Sequence, residues 1–592
     1  MGIKMAQSGR QRGYVLVTVL ILAMVASMVA FVSIRENQLQ ERMSGNQQKM
    51  INARLAAEKG IAAALDYVKA QLANGTDIAT IANNGGIAAL RGNPDVYRLS
   101  DVFYSSTDKR LTLLSTGHDV GNDATAQLKA RFELRASGSA IAKGVIGCEN
   151  LEVTGGGFID SYDSNKGGYN VNSNRASNAS VAIVNGNGIE IIGEPTKIPV
   201  GLSVINGDLT TYNGYVHSKG SGSTVSGNVT ANGVVILNGN TNVGGNVTAK
   251  TDVTLNGNNN VGGNIHSGGG FIADSGSSVQ GGVSANSVRL NGNTVVNGNV
   301  VATGELVTNG NSTIKGNASA ASADLKGTIN GSLSVDGNSI ATDNGNGKVL
   351  GGVNYNATDR SKNPQPSIPE PGVLAEYCKA RADNTWLKQQ LGTLPAGNNG
   401  ELTNSSFTNM ASANNKTYSK LDLKGDNADN KQVIEVTQNT TLYVTGGVTM
   451  ANLIVKVSHG KSLTIKQVTN GINAVVDMND VAILSSDGAP LGTSNNGGVP
   501  PVSIYTDTGD QVNIRAENHE GVNTPMFSAV YAPLANIGIK AGAGEFSGSL
   551  LGKSIQIQNP LGFHYDEGLS NAAGGGGAAT LNLLSVLDAY PN

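Results

Sequence analysis

Charged, aromatic and sulfhydryl side chains are all scarce in this 592-residue chain. Only 14% of the residues are charged and 4% are aromatic, whereas glycine occurs 79 times. This composition is unusual for a compact enzyme. The 41 basic and 44 acidic residues are spread without a block of either sign, so the net charge of -3 gives no electrostatic reason to expect a nucleic acid partner.

The sequence also lacks the usual motifs for cofactors and metals. Its two cysteines, Cys148 and Cys378, belong to no CxxC or zinc pattern. They leave one possible disulfide, with two reduced and buried thiols as the alternative. A phosphate-binding loop, a dinucleotide fingerprint and clustered metal ligands are missing as well. We therefore expect no cofactor.

Two short acidic segments stand out in this background. "FIDSYDSNKGGY" contains Asp160 and Asp163, which are weak calcium candidates, because two carboxylates do not supply the roughly six to eight oxygens that calcium takes. An Asx turn is the preferred interpretation. "FHYDE" contains His564, Asp566 and Glu567, but no serine motif or second histidine accompanies them. A capping turn is the preferred interpretation there.

One long uncharged run is present near the N-terminus. It extends from Tyr14 to Ile34, long enough for an α-helix to cross the ~30 Å hydrocarbon core of a membrane. Lys4, Arg10 and Arg12 precede it, which predicts a cytoplasmic N-terminus and an exported remainder. Removal as an ordinary signal peptide, by cleavage near residue 27, is the alternative.

The helical pattern does not stop at the end of this run. Apolar residues continue at spacings of three to four residues or multiples of these: Leu39, Met43, Ile51, Leu55, Ile61, Leu65, Val68 and Leu72. One helix is therefore predicted from about Tyr14 to Leu72, first membrane-embedded and then amphipathic.

The segment resembles the type IV pilins, and more narrowly the PilX-type minor pilins of pilus assembly. The resemblance rests on Gly13 followed by an aromatic residue and an apolar helix, on "LQERMSGN" (39–46), and on "AAE" (56–58). It implies cleavage after Gly13 by a prepilin peptidase, N-methylation of Tyr14, and assembly with other minor pilins and a major pilin. The expected location is the inner membrane before assembly and the pilus afterwards.

Thr18, the fifth residue after the predicted cleavage site, departs from the pattern of most pilins, which carry glutamate there. In the family picture that carboxylate pairs with the N-terminal ammonium of a neighbouring subunit. A threonine hydroxyl can instead bond to the carbonyl of Tyr14 one turn back, so it needs no partner. A subunit of this kind suits the first place in a filament, as in PilX and pseudopilin K-like members. A merely tolerated threonine is the alternative.

The middle of the chain is a repeat. Gly-Asn or Gly-Gly followed by Val or Ile recurs at steps of 18, 18, 18, 17 and 18 residues, at Gly227, Gly245, Gly263, Gly281, Gly298 and Gly316. Asn-Gly-Asn corners and apolar columns share this register. Each unit is predicted to supply three strands of about six residues to a triangular parallel β-solenoid that resembles the bactofilin-like β-helices. Stacked Asn side chains are expected to form ladders.

The predicted fold is α+β but mostly β: a long helix with a small antiparallel sheet, followed by a parallel β-solenoid. We expect a Pro-rich linker with one helix that contains Cys378, packs across the solenoid and is joined to Cys148, then less regular solenoid coils, and an amphipathic end that caps the stack. The predicted segments are a leader (1–13), the helix (14–75), the sheet (76–137), the solenoid (138–361), the linker and helix (362–400), the continued solenoid (401–573), and a Gly-rich joint with the cap (574–592).

These features predict a minor pilin at the pilus tip whose solenoid mediates adhesion, with host or surface glycans as candidate ligands. One alternative is a role in assembly alone, with the solenoid as a passive stalk. Another is a surface-displayed enzyme acting on polysaccharide, since some parallel β-helices are lyases or hydrolases. The repeats hold few carboxylates and no recognisable acid pair, so we expect no enzymatic activity.

Overall fold

The computed structural model of the chain contains two compact units. Unit 1 comprises residues 1–137 and 578–592, and unit 2 comprises residues 138–577. The structure describes residues 12–73, 78–91, 96–105, 110–121, 123–135, 144–154, 156–170, 172–186, 188–193, 204–220, 222–336, 340–342, 347–355, 366–380, 383–470, 473–516, 526–541, 544–558, 562–571 and 580–588. The predicted leader therefore lies almost wholly outside the described residues.

A single helix, α1 (Arg12–Ala73), confirms the long helix expected from the apolar periodicity. Two short helices follow it, Ile78–Asn83 and Gly86–Ala89, at the start of the segment assigned to the sheet (76–137). Their apolar side chains Ile78, Ile81 and Ile87 are buried against α1 and the sheet. This segment therefore contributes to the core of unit 1.

The predicted antiparallel sheet is present, with strands Tyr97–Ser105, Arg110–His118 and Thr125–Arg135. It packs on the C-terminal half of α1 at a very close approach. A Cβ added at Gly117 would lie 2.1 Å from the carbonyl oxygen of Ala53 and 2.2 Å from the amide nitrogen of Ala57. Nearby, the hydroxyl of Ser115 donates to the carbonyl of Ala57 at 2.7 Å. Small residues on both elements thus fix how α1 lies on the sheet.

The fourth strand of this sheet comes from the far end of the chain. Thr580–Asp588 pairs antiparallel with Thr125–Arg135, with Ala130 opposite Val586. The prediction that this segment caps the solenoid was wrong. A short apolar run does not distinguish a helix from a strand, and its partner lies some 450 residues away. Unit 2 is consequently an insertion between the third and fourth strands of the sheet of unit 1.

The first part of unit 2, called here the first stack, is a triangular solenoid of parallel strands with three faces. In each coil the chain passes along the first, second and third face in turn. The strands are two to six residues long beyond the first coil, mostly shorter than the six residues expected, because the corners take up more of each repeat. The first face contains Val181–Ile183, Leu209–Thr211, Val229–Ala231, Val247–Ala249, Ile265–Ser267, Val283–Ala285, Val300–Ala302, Ala318–Ala320, Leu333–Val335 and Val353–Asn354. The second contains Val145–Thr154, Gly188–Gly193, Tyr215–Gly220, Val235–Asn238, Val253–Asn256, Gly270–Ala273, Ser287–Leu290, Glu305–Thr308, Ser322–Leu325 and Ile340–Thr342. The first residues of Val145–Thr154 also lie on the first face, where they pair with Val181–Ile183. The third contains Phe158–Tyr162, Val204–Ile205, Thr224–Val225, Asn242–Val243, Asn260–Val261, Ser278–Val279, Val295–Val296, Thr313–Ile314, Thr328–Ile329 and Lys348–Val349. Arg175–Ala176 pairs antiparallel with Phe158–Tyr162.

Asparagine ladders hold the corners of the first stack, as predicted. At one corner the amide of Asn256 donates to the side-chain oxygen of Asn238 at 2.8 Å, and Asn309 donates to Asn291 in the same way. At another corner the ladder differs from the expectation, because the side-chain oxygen of Asn228 accepts from the backbone N–H of Asn246 in the next coil. Each coil therefore satisfies polar groups of its neighbour.

The second part of unit 2, called here the second stack, also consists of parallel coils. Its strands are Glu401–Thr403, Lys416–Tyr418, Lys420–Lys424, Gln432–Val436, Thr440–Val444, Val448–Val457, Leu463–Gln467, Val476–Ser485, Val502–Thr506, Gln511–Ala516, Met526–Ala541, Glu545–Gln558 and Gly562–Asp566. A short helix, Met410–Ala413, and the 3₁₀ turns Ser164–Lys166 and Glu567–Asn571 complete unit 2 together with the helices described below.

The second stack does not continue from the end of the first. Its last coils pair with the first coil of the first stack, with Leu550 opposite Val145 and Gly562 opposite Phe158. One apolar column therefore runs through both stacks for about 70 Å at ~4.8 Å per coil. In spatial order it comprises Leu402, Leu421, Val448, Val476, Val512, Ile537, Ile555, Leu151, Ile189, Val216, Val235, Val253, Phe271, Val288, Leu306 and Ala323.

This order explains the Pro-rich segment. Val353 lies nine coils beyond Val181, and the helix that begins at Val373 packs beside the first coils. The chain between them must cover about 45 Å, a distance within the reach of the roughly eighteen intervening residues at ~3.1 Å each. The return also brings entry and exit of unit 2 into adjacent coils, which suits a domain inserted between two paired strands.

Candidate functional site

Three features of the described residues bear on function: the N-terminal half of α1, a disulfide-linked anchor on the solenoid, and a buried polar cluster where the two stacks meet. The first is apolar and fully accessible within unit 1. Its large apolar side chains between Val15 and Ile34 are 48% to 73% exposed. The helix is long and apolar enough to cross a membrane. Such a surface needs lipid or neighbouring helices around it.

The residues predicted for processing lie at the start of this helix. Gly13 and Tyr14 belong to α1 by their backbone, and the side chain of Tyr14 lies outside the described ones. Thr18 lies in the exposed segment. In the same segment the hydroxyl of Ser27 donates to the carbonyl of Ala23 one turn back, at 2.7 Å. The corresponding bond from Thr18 to the carbonyl of Tyr14 stays a prediction.

The predicted link between Cys148 and Cys378 is present as a disulfide. The expected single helix around Cys378 was wrong: there are two helices, Val373–Tyr377 and Thr385–Leu391, and Cys378 is the C-cap of the first. The break arises because Asn384 caps the second helix, accepting from the N–H of Leu387 at 2.8 Å.

Aromatic packing supports the same anchor. Trp386 lies with its ring centroid 4.2 Å from that of Tyr531 and 5.1 Å from that of Tyr377. The hydroxyl of Tyr531 donates to the carbonyl of Tyr377 at 2.9 Å. Because Tyr531 belongs to the second stack and Cys148 to the first, the returning segment is fastened to both stacks at their junction.

The two acidic segments flagged in the sequence meet in a buried cluster at this junction. The carboxylate of Asp160 accepts from Nδ1 of His564 at 2.6 Å, from the hydroxyl of Tyr169 at 2.9 Å, and from Nε of Arg175 at 2.8 Å. The ring of Tyr169 stacks on that of His564 at 3.3 Å. Nε2 of His564 lies 3.7 Å from Glu545, an ion-pair distance.

These contacts govern protonation in the cluster. Burial disfavours the charged imidazole, but the hydrogen bonds and charges of Asp160 and Glu545 outweigh it and raise the pKa of His564 above its usual value. Burial raises the pKa of Asp566, although its carboxylate accepts from the hydroxyl of Ser164 and the N–H groups of Thr493 and Gly568. Removing either partner of the His564–Asp160 pair would leave a buried charge without its counterion. The pair therefore contributes to the packing of the two stacks at their junction.

The prediction of an Asx turn is confirmed for Asp163, whose carboxylate accepts from the N–H of Asn165 at 3.0 Å. It was wrong for Asp160, which is fully buried in the cluster. The predicted capping role fits Asp566, which accepts from Gly568 in the following 3₁₀ turn, but not His564. Among the described residues, no group of three His, Cys, Asp or Glu side chains is arranged to hold a metal ion.

Comparison with known proteins bears on the N-terminal part. Residues 12–62 match the family model of the PilX N-terminal domain. This segment is thus similar to the N-terminal domain of PilX-type proteins. The matched residues coincide with most of α1. The resemblance to the PilX N-terminal domain is therefore confirmed. The large parallel sheet is consistent with the second resemblance, to bactofilin-like β-helices.

Two further comparisons add less. No curated protein matches the chain at a significant level. The crystal structure of the competence-associated pilin ComZ from Thermus thermophilus aligns with 91% of this chain and 97% of its own, at 10% identity and a TM-score of 0.23. A TM-score of this size establishes no similarity of fold.

Proposed function

We propose that this chain is a minor type IV pilin that occupies the pilus tip and presents its solenoid for attachment. One observation carries the proposal: an exposed apolar helix, of which residues 12–62 match the PilX N-terminal domain, continues into a pilin-like sheet that contains the 440-residue unit 2 as an insertion. The helix supplies the part that assembles, and unit 2 supplies a large module that assembly does not require.

The assembly part follows from the apolar helix. We propose that a prepilin peptidase cleaves after Gly13 and that Tyr14 becomes the methylated N-terminus. Before assembly, α1 anchors the chain in the inner membrane with its N-terminus on the cytoplasmic side. On assembly, the side chains from Val15 to Ile34 leave the lipid and pack against the helices of other minor pilins and the major pilin. Burial in either apolar environment is favourable, whereas exposure to water is not.

The tip position rests on two arguments. Thr18 brings no carboxylate to pair with a neighbour's ammonium, which suits a subunit that starts a filament. Pilin helices pack side by side, so an inserted unit about three times the size of unit 1 would crowd the subunits above it in a shaft. At the tip this crowding is absent.

A binding role for the solenoid is favoured by its surface chemistry. Outward positions are rich in Asn, Thr and Ser, whose groups both donate and accept hydrogen bonds. The buried histidine and carboxylates of the junction cluster are occupied with one another, which suits a structural role. We therefore propose attachment, rather than catalysis, as the task of unit 2.

A spliced variant tests this proposal. Joining Ser137 to Ala578 removes unit 2 but keeps Thr580–Asp588, so the four-stranded sheet stays complete. We expect normal numbers of pili and a loss of surface attachment. A chain truncated after Ser137 is the matched control, since it lacks the fourth strand and should fail in assembly. Unchanged attachment by the spliced variant would reduce the solenoid to a passive stalk.

A further inference from the structure

A polar groove of about 600 Å³ crosses the junction of the two stacks on the second face of the solenoid. Its volume lies within the roughly 300–1,000 Å³ of typical ligand sites. The lining includes Asn513 and Gln556 from the second stack and Glu152, Glu190 and Tyr215 from the first. Local sequence patterns do not predict this groove, because its residues come together only where the last coils of the second stack meet the first coil of the first stack.

The register of the strands shows how the groove is built. In successive coils the outward positions of one row are Asn513, Gly538, Gln556, Glu152 and Glu190. Coils are ~4.8 Å apart, close to the length of one sugar unit, and four of the five positions carry a polar side chain, at steps of one or two coils. The row therefore offers hydrogen-bonding groups at regular steps along the axis of the solenoid.

Gly538 interrupts this row and opens the groove. A Cβ added there would meet only the side-chain oxygen of Asn513, at 3.9 Å, which is ordinary contact. The backbone of Gly538 consequently leaves space where its neighbours in the row carry side chains. A residue larger than glycine would be accepted by the fold but would project into the groove.

The polar groups are held in position by one another. Nε2 of Gln556 donates to Glu152 at 3.1 Å, joining the two stacks. Glu190 accepts from the hydroxyl of Tyr215 at 3.1 Å and from Nζ of Lys219 at 2.7 Å. Side chains fixed in this way lose little conformational entropy when a ligand binds.

The charges of the groove indicate what kind of ligand it takes. Lys219 forms an ion pair with Glu190, and Lys540 lines the groove, so two carboxylates and two ammonium groups lie in or beside it. Neither sign dominates, which disfavours a polyanion such as a nucleic acid and a polycation alike. Amides, carboxylates and a phenol instead match hydroxyl groups, which donate and accept in equal measure.

We propose that this groove binds a neutral oligosaccharide, which lies along the solenoid axis across the junction of the stacks. The inference names the ligand of the attachment module and in that sense rests on the proposed function. The two carboxylates of the groove are already engaged, Glu152 by the amide of Gln556 and Glu190 by Tyr215 and Lys219, so the groove is suited to holding a ligand. The hydrogen bond from Lys219, which outweighs burial, lowers the pKa of Glu190 and keeps its carboxyl ionised.

The test uses the purified protein on a printed array of neutral oligosaccharides, with sulfated glycans, uronic-acid glycans and single-stranded DNA on the same surface. We expect binding to neutral oligosaccharides and a fall in affinity of at least about tenfold in Gly538→Tyr. Gln556→Ala, which removes one amide, should also weaken binding. Thr254→Tyr is the matched control, since Thr254 faces outward on the same row two coils beyond His217, outside the groove.

Several results would overturn the proposal: no binding to neutral oligosaccharides, equal binding by Gly538→Tyr and wild type, binding only to the acidic glycans or DNA, or release of shortened sugar products. The proposed function fails separately. If the splice from Ser137 to Ala578 abolishes attachment while the array stays negative, the solenoid remains the attachment module and only the groove is excluded.

Discussion

The disulfide between Cys148 and Cys378 allows the strongest quantitative prediction about stability. It closes a loop of 230 residues. In the chain-entropy model, a cross-link of this length stabilises the folded state by about 5 kcal/mol at 25 °C. We therefore expect the double variant Cys148→Ser, Cys378→Ser to lose up to about this amount, mainly where the returning segment is fastened to the junction.

Trp386 provides a local probe for this loss. It is the only tryptophan in the chain, is buried, and packs against Tyr377 and Tyr531 beside the disulfide. Solenoid coils contact only their neighbours, so the returning segment should detach before the coils unfold. In a urea titration, the fluorescence of Trp386 should therefore change at a lower urea concentration in the double variant, while circular dichroism without urea keeps its strand signal.

The wild-type protein under reducing conditions is the matched control, and it should behave like the double variant. The reasoning would be refuted if reduction left the urea midpoint of the Trp386 signal unchanged. If both Cys148 and Cys378 were alkylated in natively purified protein without reduction, the disulfide would be absent and the prediction would lose its basis.

Three further predictions concern packing and protonation. Gly117→Ala should destabilise unit 1 by roughly 1–3 kcal/mol, because the new methyl group collides with the backbone of α1. As a control, Gly45→Ala should stabilise the helix by up to about 1 kcal/mol, because a Cβ at that position has no neighbour within 4 Å. Hydrogen exchange in the sheet and in α1 measures both effects. Phe271→Ala should cost about 3–5 kcal/mol in the first stack, since its ring is fully buried, and loss of protection confined to the neighbouring coils would be seen by hydrogen exchange. The raised pKa of His564 favours folding most below its unfolded pKa of about 6.5, and this contribution is lost as the pH rises through the higher folded value. Thermal midpoints measured across that range should fall for wild type and stay flatter for His564→Gln; parallel curves would contradict the assignment.

Repeats and periodicity made much of this fold predictable. The 18-residue step fixes a register in which Val235, Val253 and Phe271 stack directly, and the structure pairs them as expected. Likewise, the apolar spacing to Leu72 predicts α1 because a helix repeats its face every 3.6 residues. Both inferences use only local spacing in the chain.

Pairings between distant segments could not be predicted in this way. The partner of Thr580–Asp588 lies at Thr125–Arg135, and the partner of Glu545–Gln558 lies at Val145–Thr154. Nothing local in the sequence specifies which strand edge each one meets. The order of the two stacks and the insertion of unit 2 therefore emerged only from the structure.

The candidate sites show the same limit. Asp160 and His564 each stood in a segment that the sequence singled out, yet they are 404 residues apart, and their contact depends on the return of the second stack. The groove depends on the same return, since Gln556 and Glu152 share it across the junction. Residue types were visible in the sequence, whereas their combination required the topology.

Immunogold labelling of isolated pili with antibodies against residues 138–577 tests the central proposal most directly. Gold particles are expected at one end of each pilus, in one or a few copies, and they should be missing from pili of the strain that carries the Ser137–Ala578 splice. Labelling at intervals along the shaft, or labelling of cell membranes with bare pili, would contradict a tip-located minor pilin.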